Sequence, residues 1–134
     1  MTYKQIVSPK LISATANTPL VGLDLISQSM SLCGSLTKSQ SEKDEKKVSL
    51  LLDEDTYLGM QEIDLKIERL DVFGVGLLLK VISKAKSQNP DVRINWFSHE
   101  GDSINQEMGQ DISALTENAV NLLIIPNYHL RRAA

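Results

Sequence analysis

Residues 62–76 have the sequence EIDLKIERLDVFGVG, and they carry the clearest structural signal in the chain. The first nine of these residues, Glu62–Leu70, are predicted as a strand with one buried face, because apolar and charged side chains alternate from Glu62 to Glu68. The apolar positions of this strand are Ile63, Leu65 and Ile67. Gly74 and Gly76 then mark a turn, and Val75–Ala85 carries apolar residues at helical spacing. We therefore predict a strand, a turn, and a helix that begins at the turn.

A second strand is predicted at Val92–Phe97, after Asn89 and Pro90 end the helix. Two strands joined by one helix favour a right-handed crossover and parallel pairing. Trp96 and Phe97 are consecutive, so we expect one of them to pack under a helix and the other to be exposed on the opposite face. The fold class is predicted as α/β, with a mixed or largely parallel sheet of about four strands and helices packed on it.

The N-terminal half gives weaker signals. Residues 1–17 are expected to be a mobile segment with a short strand near Lys10–Ala14. Thr18 and Pro19 suit the N-cap and first position of a helix, which we place at Pro19–Lys38. Ser39–Lys47 is polar and charged and is predicted as a solvated connector, with an interaction surface as the alternative. A strand at Val48–Leu52 is then predicted, followed by a turn or helix start at the acidic triplet 53–55.

The C-terminal part is predicted to contain a helix from about Ser103, with Gly109 as a possible break, and a last strand at Val120–Ile125. Residues 18–126 are taken as a single domain, and residues 127–134 as a tail. One domain fits the length of 134 residues.

Composition disfavours several classes of function. The net charge of −3 and the pI of about 5.3 disfavour nucleic-acid binding. No apolar run approaches the ~18 residues of a membrane span, and no signal-peptide core is present, so the expected location is the cytoplasm. The single Cys33 forms no internal disulfide, and we expect a buried, inert thiol.

Two segments carry a family resemblance: Ile63–Leu65, and Leu70–Leu79 with the sequence LDVFGVGLLL. They resemble the STAS domain (sulfate transporter and anti-sigma factor antagonist), in which a strand bearing Asp-Leu leads into Asp-Ser-x-Gly and a leucine-rich helix. The match covers about residues 62–98 well and 99–125 loosely. The leucine-rich helix is similar to that of small STAS subunits that bind ATPases of bacterial lipid-transport systems. The resemblance implies a protein partner such as an ATPase, a transporter or a regulatory kinase.

This chain departs from the family pattern at two places. Phosphorylation-regulated members carry Ser or Thr directly after the turn Asp, whereas this chain has Val72. A side chain without a hydroxyl cannot accept phosphate, so the resemblance implies a constitutive module. The first 47 residues also fit poorly, because the family usually opens with a β-hairpin and the helix predicted at Pro19–Lys38 has no counterpart.

Catalytic chemistry is not indicated. His99, Glu100 and Asp102 cluster on a loop after a strand, but a metal site normally needs three or four converging ligands, and a solvated loop is favoured. The glycines of the turn lack the pattern of a nucleotide-binding loop. We predict that the protein is not an enzyme and that it binds no metal and no cofactor. A small hydrolase using His99 and Asp102 is the least favoured reading.

The predicted function is non-catalytic protein binding through the Asp71–Gly76 turn and the helix after it. The turn glycines would allow close approach of a partner backbone, and the helix start would favour an acidic or carbonyl group. The candidate contact residues are Asp71, Val72, Phe73, Gly74, Gly76, Lys80, Lys84 and His99. The alternative is a small acidic adaptor or secretion chaperone that holds a client protein and forms a homodimer through Pro19–Lys38.

Overall fold

Six strands form one sheet, and their order across the sheet follows their order along the chain. The computed structural model describes residues 10–126, so the predicted tail at 127–134 and the first nine residues lie outside the described part. The strands are β1 Lys10–Ile12, β2 Leu20–Asp24, β3 Ser29–Leu36, β4 Glu62–Leu70, β5 Arg93–His99 and β6 Val120–Ile125. The helices are α1 Glu42–Leu52, α2 Val72–Gln88 and α3 Ser103–Leu115, and a short 3₁₀ helix covers Glu54–Tyr57.

The sheet is mixed. Strands β1, β2 and β3 pair antiparallel, whereas β3, β4, β5 and β6 pair parallel in that order. Each parallel pair is joined by one helix, and right-handed crossovers between strands in sequential order place all three helices on the same face. The predicted α/β class and the parallel pairing of β4 with β5 are confirmed, and the sheet has six strands instead of about four. Strand β1 pairs with the sheet although it precedes residue 18.

The core lies between the helices and one face of the sheet. Along β4 the residues Ile63, Leu65 and Ile67 are buried, and Lys66 and Glu68 on the other face are exposed. This pattern confirms the prediction of a strand with one buried face.

Trp96 on β5 is fully buried, and its ring lies against Gly109 of α3. A Cβ at Gly109 would stand 2.6 Å from the indole, so this glycine lets the helix pass close to the ring. The helix continues through Gly109, and the prediction of a break there is wrong. Phe97 lies on the opposite face of β5 and is partly exposed, as expected for consecutive strand residues.

The helix predicted at Pro19–Lys38 is wrong, because the segment forms the β2–β3 hairpin. A tight turn joins the two strands, and Oδ1 of Asp24 accepts hydrogen bonds from the backbone N–H groups of Ile26 and Ser27. In β3 small polar residues alternate with Met30 and Leu32, which are both buried. That two-residue period indicates a strand, and it outweighs the N-cap signal of Thr18 and Pro19.

The predictions for Ser39–Leu52 are also wrong, because α1 replaces the connector and the strand. Ser41 is the N-cap, and its side chain accepts a hydrogen bond from the N–H of Asp44 three residues later. The buried face of α1 carries Asp44, Lys47 and Leu51, so charged residues occupy positions where helical periodicity expects apolar ones.

A hydrogen-bond network stabilises these buried charges. Asp44 accepts hydrogen bonds from the hydroxyls of Thr15, Thr18 and Ser39 at 2.8, 2.8 and 2.6 Å. The Nζ of Lys47 donates to the Thr18 hydroxyl at 2.9 Å and to two backbone carbonyls, those of Ser13 and Pro19. These hydrogen bonds join the segment before β2 to α1. They also satisfy both charged groups, which allows Asp44 and Lys47 to be buried.

Candidate functional site

Helix α2 begins directly after β4, and Asp71 is its N-cap. The Oδ1 of Asp71 accepts a hydrogen bond from the N–H of Gly74 at 2.7 Å, and its Oδ2 accepts one from the N–H of Lys38 at 2.8 Å. These two donors, Lys38 first, lower the pKa of the Asp71 carboxyl from its ordinary value. Asp71 therefore joins the end of β3 to the start of α2, and its carboxylate already partners two N–H groups of the protein's own backbone.

Gly74 belongs to the interior and not to the exposed surface. It is buried, and a Cβ at this position would overlap the carbonyl oxygen of Leu36 at the end of β3. The glycine thus permits close approach of the protein's own backbone, whereas the sequence suggested approach by a partner. The helix starts at Val72 instead of after the glycines.

Val72 and Phe73 face solvent in the first turn of α2, and the partly exposed Gly76 lies one turn further along. Val72 is 90% exposed and Phe73 is 41% exposed, which are large values for apolar side chains. A Cβ at Gly76 would find no atom within 4 Å, so bare backbone is presented there. We call Val72, Phe73 and Gly76 the corner patch. No packing within the described residues requires an apolar side chain at position 72 or a glycine at position 76.

A groove of about 310 Å³ borders the corner patch on the α1 side. Phe73 forms one wall, and α1 contributes Glu45, Val48 and Ser49 to the other. The loop after β3, with Lys38, closes one end. A second groove of about 510 Å³ follows the α1–α2 side further along, with Lys80, Lys84 and Glu54 among its lining residues.

The two lysines predicted as contact residues differ in whether they form an ion pair. Lys80 is exposed, and the structure shows no ion pair for it among the described residues. The Nζ of Lys84 lies 3.7 Å from Oε1 of Glu54, so it is partly engaged by the 3₁₀ helix. On α2, the positions of Phe73, Lys80 and Lys84 are separated by seven and four residues, so they share one side of the helix.

His99 lies apart from the corner patch. It is exposed at the end of β5 and lines a separate crevice that shares no residue with the groove at Phe73. Of the eight predicted contact residues, the structure thus brings Val72, Phe73, Gly76, Lys80 and Lys84 to one side of α2, gives Asp71 and Gly74 internal partners, and separates His99.

The sequence does not indicate the α1 residues that face Phe73, because its pattern predicts a connector and a strand in this segment. The capping pattern of Ser41 followed by Asp44 was the available signal for this helix. Cys33 was expected to be buried, but it is exposed, because its side chain lies on the face of the sheet away from the helices.

Among residues 10–126, no group of three or more His, Cys, Asp or Glu side chains is placed to hold a metal ion. Within the same residues, no helix has both the length and the apolar character that a membrane crossing requires.

The described residues define a class: a two-layer α/β domain whose helices cover one face of a mixed sheet, with an exposed apolar corner where α2 begins. No protein-family model matches the chain, and no curated protein matches it either.

Solved structures with this fold include SiaC from Pseudomonas aeruginosa. The crystal structure of apo-SiaC has a TM-score of 0.64 at 14% identity, covering 87% of this chain and 98% of that chain. A second SiaC structure has a TM-score of 0.62 at 16% identity, covering 90% and 99% of the two chains. A chain in the crystal structure of the diguanylate cyclase SiaD with its activator SiaC has a TM-score of 0.67 at 15% identity, covering 87% and 99%. The TM-scores show that the chains share a fold, and at identities this low the similarity extends to the fold alone.

Proposed function

We propose that this protein is a non-catalytic, STAS-like regulatory module that binds a partner protein through the corner patch and the exposed side of α2. The observation that carries the proposal is the 90% exposure of Val72 beside the partly exposed Phe73, at a helix start that Asp71 fixes rigidly. An apolar anchor on a preformed surface lowers the ordering cost of binding.

The fold supports the STAS resemblance in one further respect. The N-terminal misfit expected from the sequence rested on a long helix, and the structure has the β2–β3 hairpin there instead. A hairpin is the element with which the family usually opens.

The proposed partner is an enzyme or another regulatory protein. SiaC, which shares the fold, is described as the activator of the diguanylate cyclase SiaD. A diguanylate cyclase is therefore the first partner class to test, followed by the ATPases, transporters and kinases that the STAS resemblance implies. Val72 carries no hydroxyl, so phosphorylation at this position cannot switch the interaction.

The homodimer through a helix at Pro19–Lys38 is not proposed, because that helix does not form. Lys80 and Lys84 are proposed as the cationic rim of the contact. His99 lies outside this surface and is not part of the proposed contact.

The test uses Val72→Asp and the matched control Leu115→Asp in affinity capture from the source cells. Both residues are exposed apolar positions on helices, and Leu115 is 63% exposed at the far end of α3. We expect the wild type and Leu115→Asp to capture one specific partner and Val72→Asp to lose it. Val72→Asp should be at least as stable as Leu115→Asp, because an acidic residue suits the start of a helix and disfavours its end. If Val72→Asp keeps the partner at wild-type affinity, the corner patch is not the contact. If the partner is a diguanylate cyclase, its turnover with and without this protein shows whether binding regulates it.

A further inference from the structure

Strands β4 and β5 separate toward their C-terminal ends. They pair only from Glu62 with Arg93 to Leu65 with Trp96. Beyond that point β4 continues against β3 as far as Leu70, and β5 continues against β6 as far as His99. Two parallel strands that diverge in this way open a crevice at the carboxyl edge of the sheet.

Asn105 of α3 supports one wall of this crevice. Its Nδ2 donates to the carbonyl oxygen of Ile67 at 2.7 Å, and its Oδ1 accepts from Nε1 of Trp96 at 3.0 Å. The carbonyl of Ile67 lies past the last β4–β5 pair, and Asn105 supplies a hydrogen bond that the neighbouring strand no longer provides. The separation of the strands is therefore built into the hydrogen bonding of the fold.

The crevice has a volume of about 310 Å³. This volume lies at the lower end of the range for small-molecule sites. Its apolar lining comes from Ile67, Phe97 and Ile125, and its charged lining includes Lys66 and Glu68. The side chains of these residues lie on three strands, so the lining depends on rigid elements more than on loops.

Ser98 also lines the crevice, and its hydroxyl has no hydrogen-bond partner among the described residues. The residue is 2% exposed, and its Oγ is buried. A buried hydroxyl without a partner is unfavourable, and each such group in a native fold calls for an explanation. A ligand atom that displaces the side chains covering this hydroxyl would provide one.

The charges around the crevice have both signs. The Nζ of Lys66 lies 5.4 Å from the centroid of the Phe97 ring, and neither Lys66 nor Glu68 forms an ion pair within the described chain. His99 and Asp102 complete the polar lining, and Asp102 uses one carboxylate oxygen to cap α3. A ligand with only one kind of charge would leave one of these groups facing a like charge.

We propose that this crevice binds a small zwitterion of the amino-acid type. Its carboxylate would accept from the Ser98 hydroxyl and lie near Lys66, its ammonium would lie near Glu68, and its apolar side chain would pack against Ile67, Phe97 and Ile125. The proposal is independent of the partner contact at the corner patch, because the two surfaces share no residue.

The first experiment is an NMR titration of the full ¹⁵N-labelled chain with L-leucine, N-acetyl-L-leucine and L-leucinamide. The two derivatives each remove one charge of the zwitterion and keep its apolar side chain. We expect saturable shifts of the Phe97 and Ser98 amide signals with L-leucine, and binding about tenfold weaker with each derivative. Absence of saturable shifts with L-leucine, or equal binding of all three compounds, would overturn the proposal.

The second experiment compares Ser98→Ala with the control Ser83→Ala, which removes an exposed hydroxyl on α2 outside the crevice. We expect Ser98→Ala to bind L-leucine about tenfold more weakly with no loss of thermal stability, because its hydroxyl has no internal partner to lose. Ser83→Ala should bind as the wild type does. Unchanged binding by Ser98→Ala would refute the assigned role, and a marked fall in its melting temperature would show that the hydroxyl has a structural partner instead.

Discussion

Substitution by alanine at two glycines of α2 should change the free energy of unfolding in opposite directions. A Cβ at Gly74 would overlap the backbone oxygen of Leu36, and the carbonyl carbon of Leu36 would lie 2.8 Å away. A Cβ at Gly76, two residues later, would meet no atom within 4 Å. Because the obstacle at Gly74 is backbone at the end of β3, it cannot move aside by changing a rotamer.

The sizes of these changes in the free energy of unfolding follow from two opposing effects. Glycine in a helix costs roughly 0.5–1 kcal/mol relative to alanine, so Gly76→Ala should raise the free energy of unfolding by about that amount. Gly74→Ala has a similar gain, but overpacking against a fixed neighbour costs about 3 kcal/mol at the upper end of the usual range. The expected net loss for Gly74→Ala is about 2 kcal/mol, and the two variants should differ by about 3 kcal/mol.

Urea unfolding followed by circular dichroism measures this difference, provided that the slope of the transition stays the same in both variants. A Gly74→Ala variant as stable as the wild type would refute the close approach of α2 to β3, and with it the geometry that holds the corner patch. Gly76→Ala has a second use, since it adds a methyl group to the proposed contact surface. We expect it to be more stable than the wild type but to bind the partner more weakly.

Other predictions concern residues that hold the fold or the two surfaces. Lys47→Ala should lower the free energy of unfolding by about 3 kcal/mol, because the buried acceptors that Lys47 serves lose their donor; chemical denaturation checks this. Tyr57→Phe should cost about 1–2 kcal/mol in the same assay, because the buried hydroxyl donates to a backbone carbonyl of α1. The pKa of Asp71 is lowered in the folded protein, so its contribution to stability is present above the unfolded pKa and is lost as pH falls through the folded value. Asp71→Asn should therefore be less stable than the wild type at pH 7, and the difference should shrink below about pH 4 in thermal melts across pH. Asn105→Ala should lower the melting temperature and broaden the amide signals of β5, since two hydrogen bonds that bridge the diverging strands are lost.

The C-terminal half of the fold was predictable because its signals are local. In β4 the apolar and charged residues alternate over seven positions, 62–68, and the prediction of Glu62–Leu70 agrees with the structure. The last strand at Val120–Ile125 and the helix from Ser103 also agree with the predictions. In β4 the burial of each residue follows from its own polarity, so periodicity in the sequence carries the structural information there. In α3 and β6 the apolar content predicted the element but not the burial, because Ile104, Leu123 and Ile124 are exposed.

The N-terminal half was not predictable in this way, because the burial of its charged residues depends on distant partners. Asp44 and Lys47 lie on the buried face of α1 only because Thr15 and Thr18 satisfy them from the segment before β2. Without that pairing, the segment has the composition of a solvated connector.

The candidate contact site shows the same division. The sequence pointed to Val72 and Phe73 as apolar residues at a helix start, and both are exposed. The roles of Asp71 and Gly74 depend instead on Lys38 and Leu36, more than 30 positions away in the sequence. No local pattern relates these residues, so their internal contacts could not be inferred from spacing.

The two proposed surfaces lie at the same edge of the sheet but depend on different anchors. At the corner patch, Asp71 fixes the start of α2 against the chain after β3. At the crevice, Asn105 fixes Ile67 of β4 against Trp96 of β5. Both anchors act without a ligand or partner, so the backbone of each surface is in place before binding, which keeps the ordering cost small. At the crevice, binding also requires the side chains that cover the Ser98 hydroxyl to move. Because they share no residue, we expect Val72→Asp to abolish partner binding and leave the L-leucine titration unchanged. Ser98→Ala should weaken L-leucine binding about tenfold and leave partner binding unchanged.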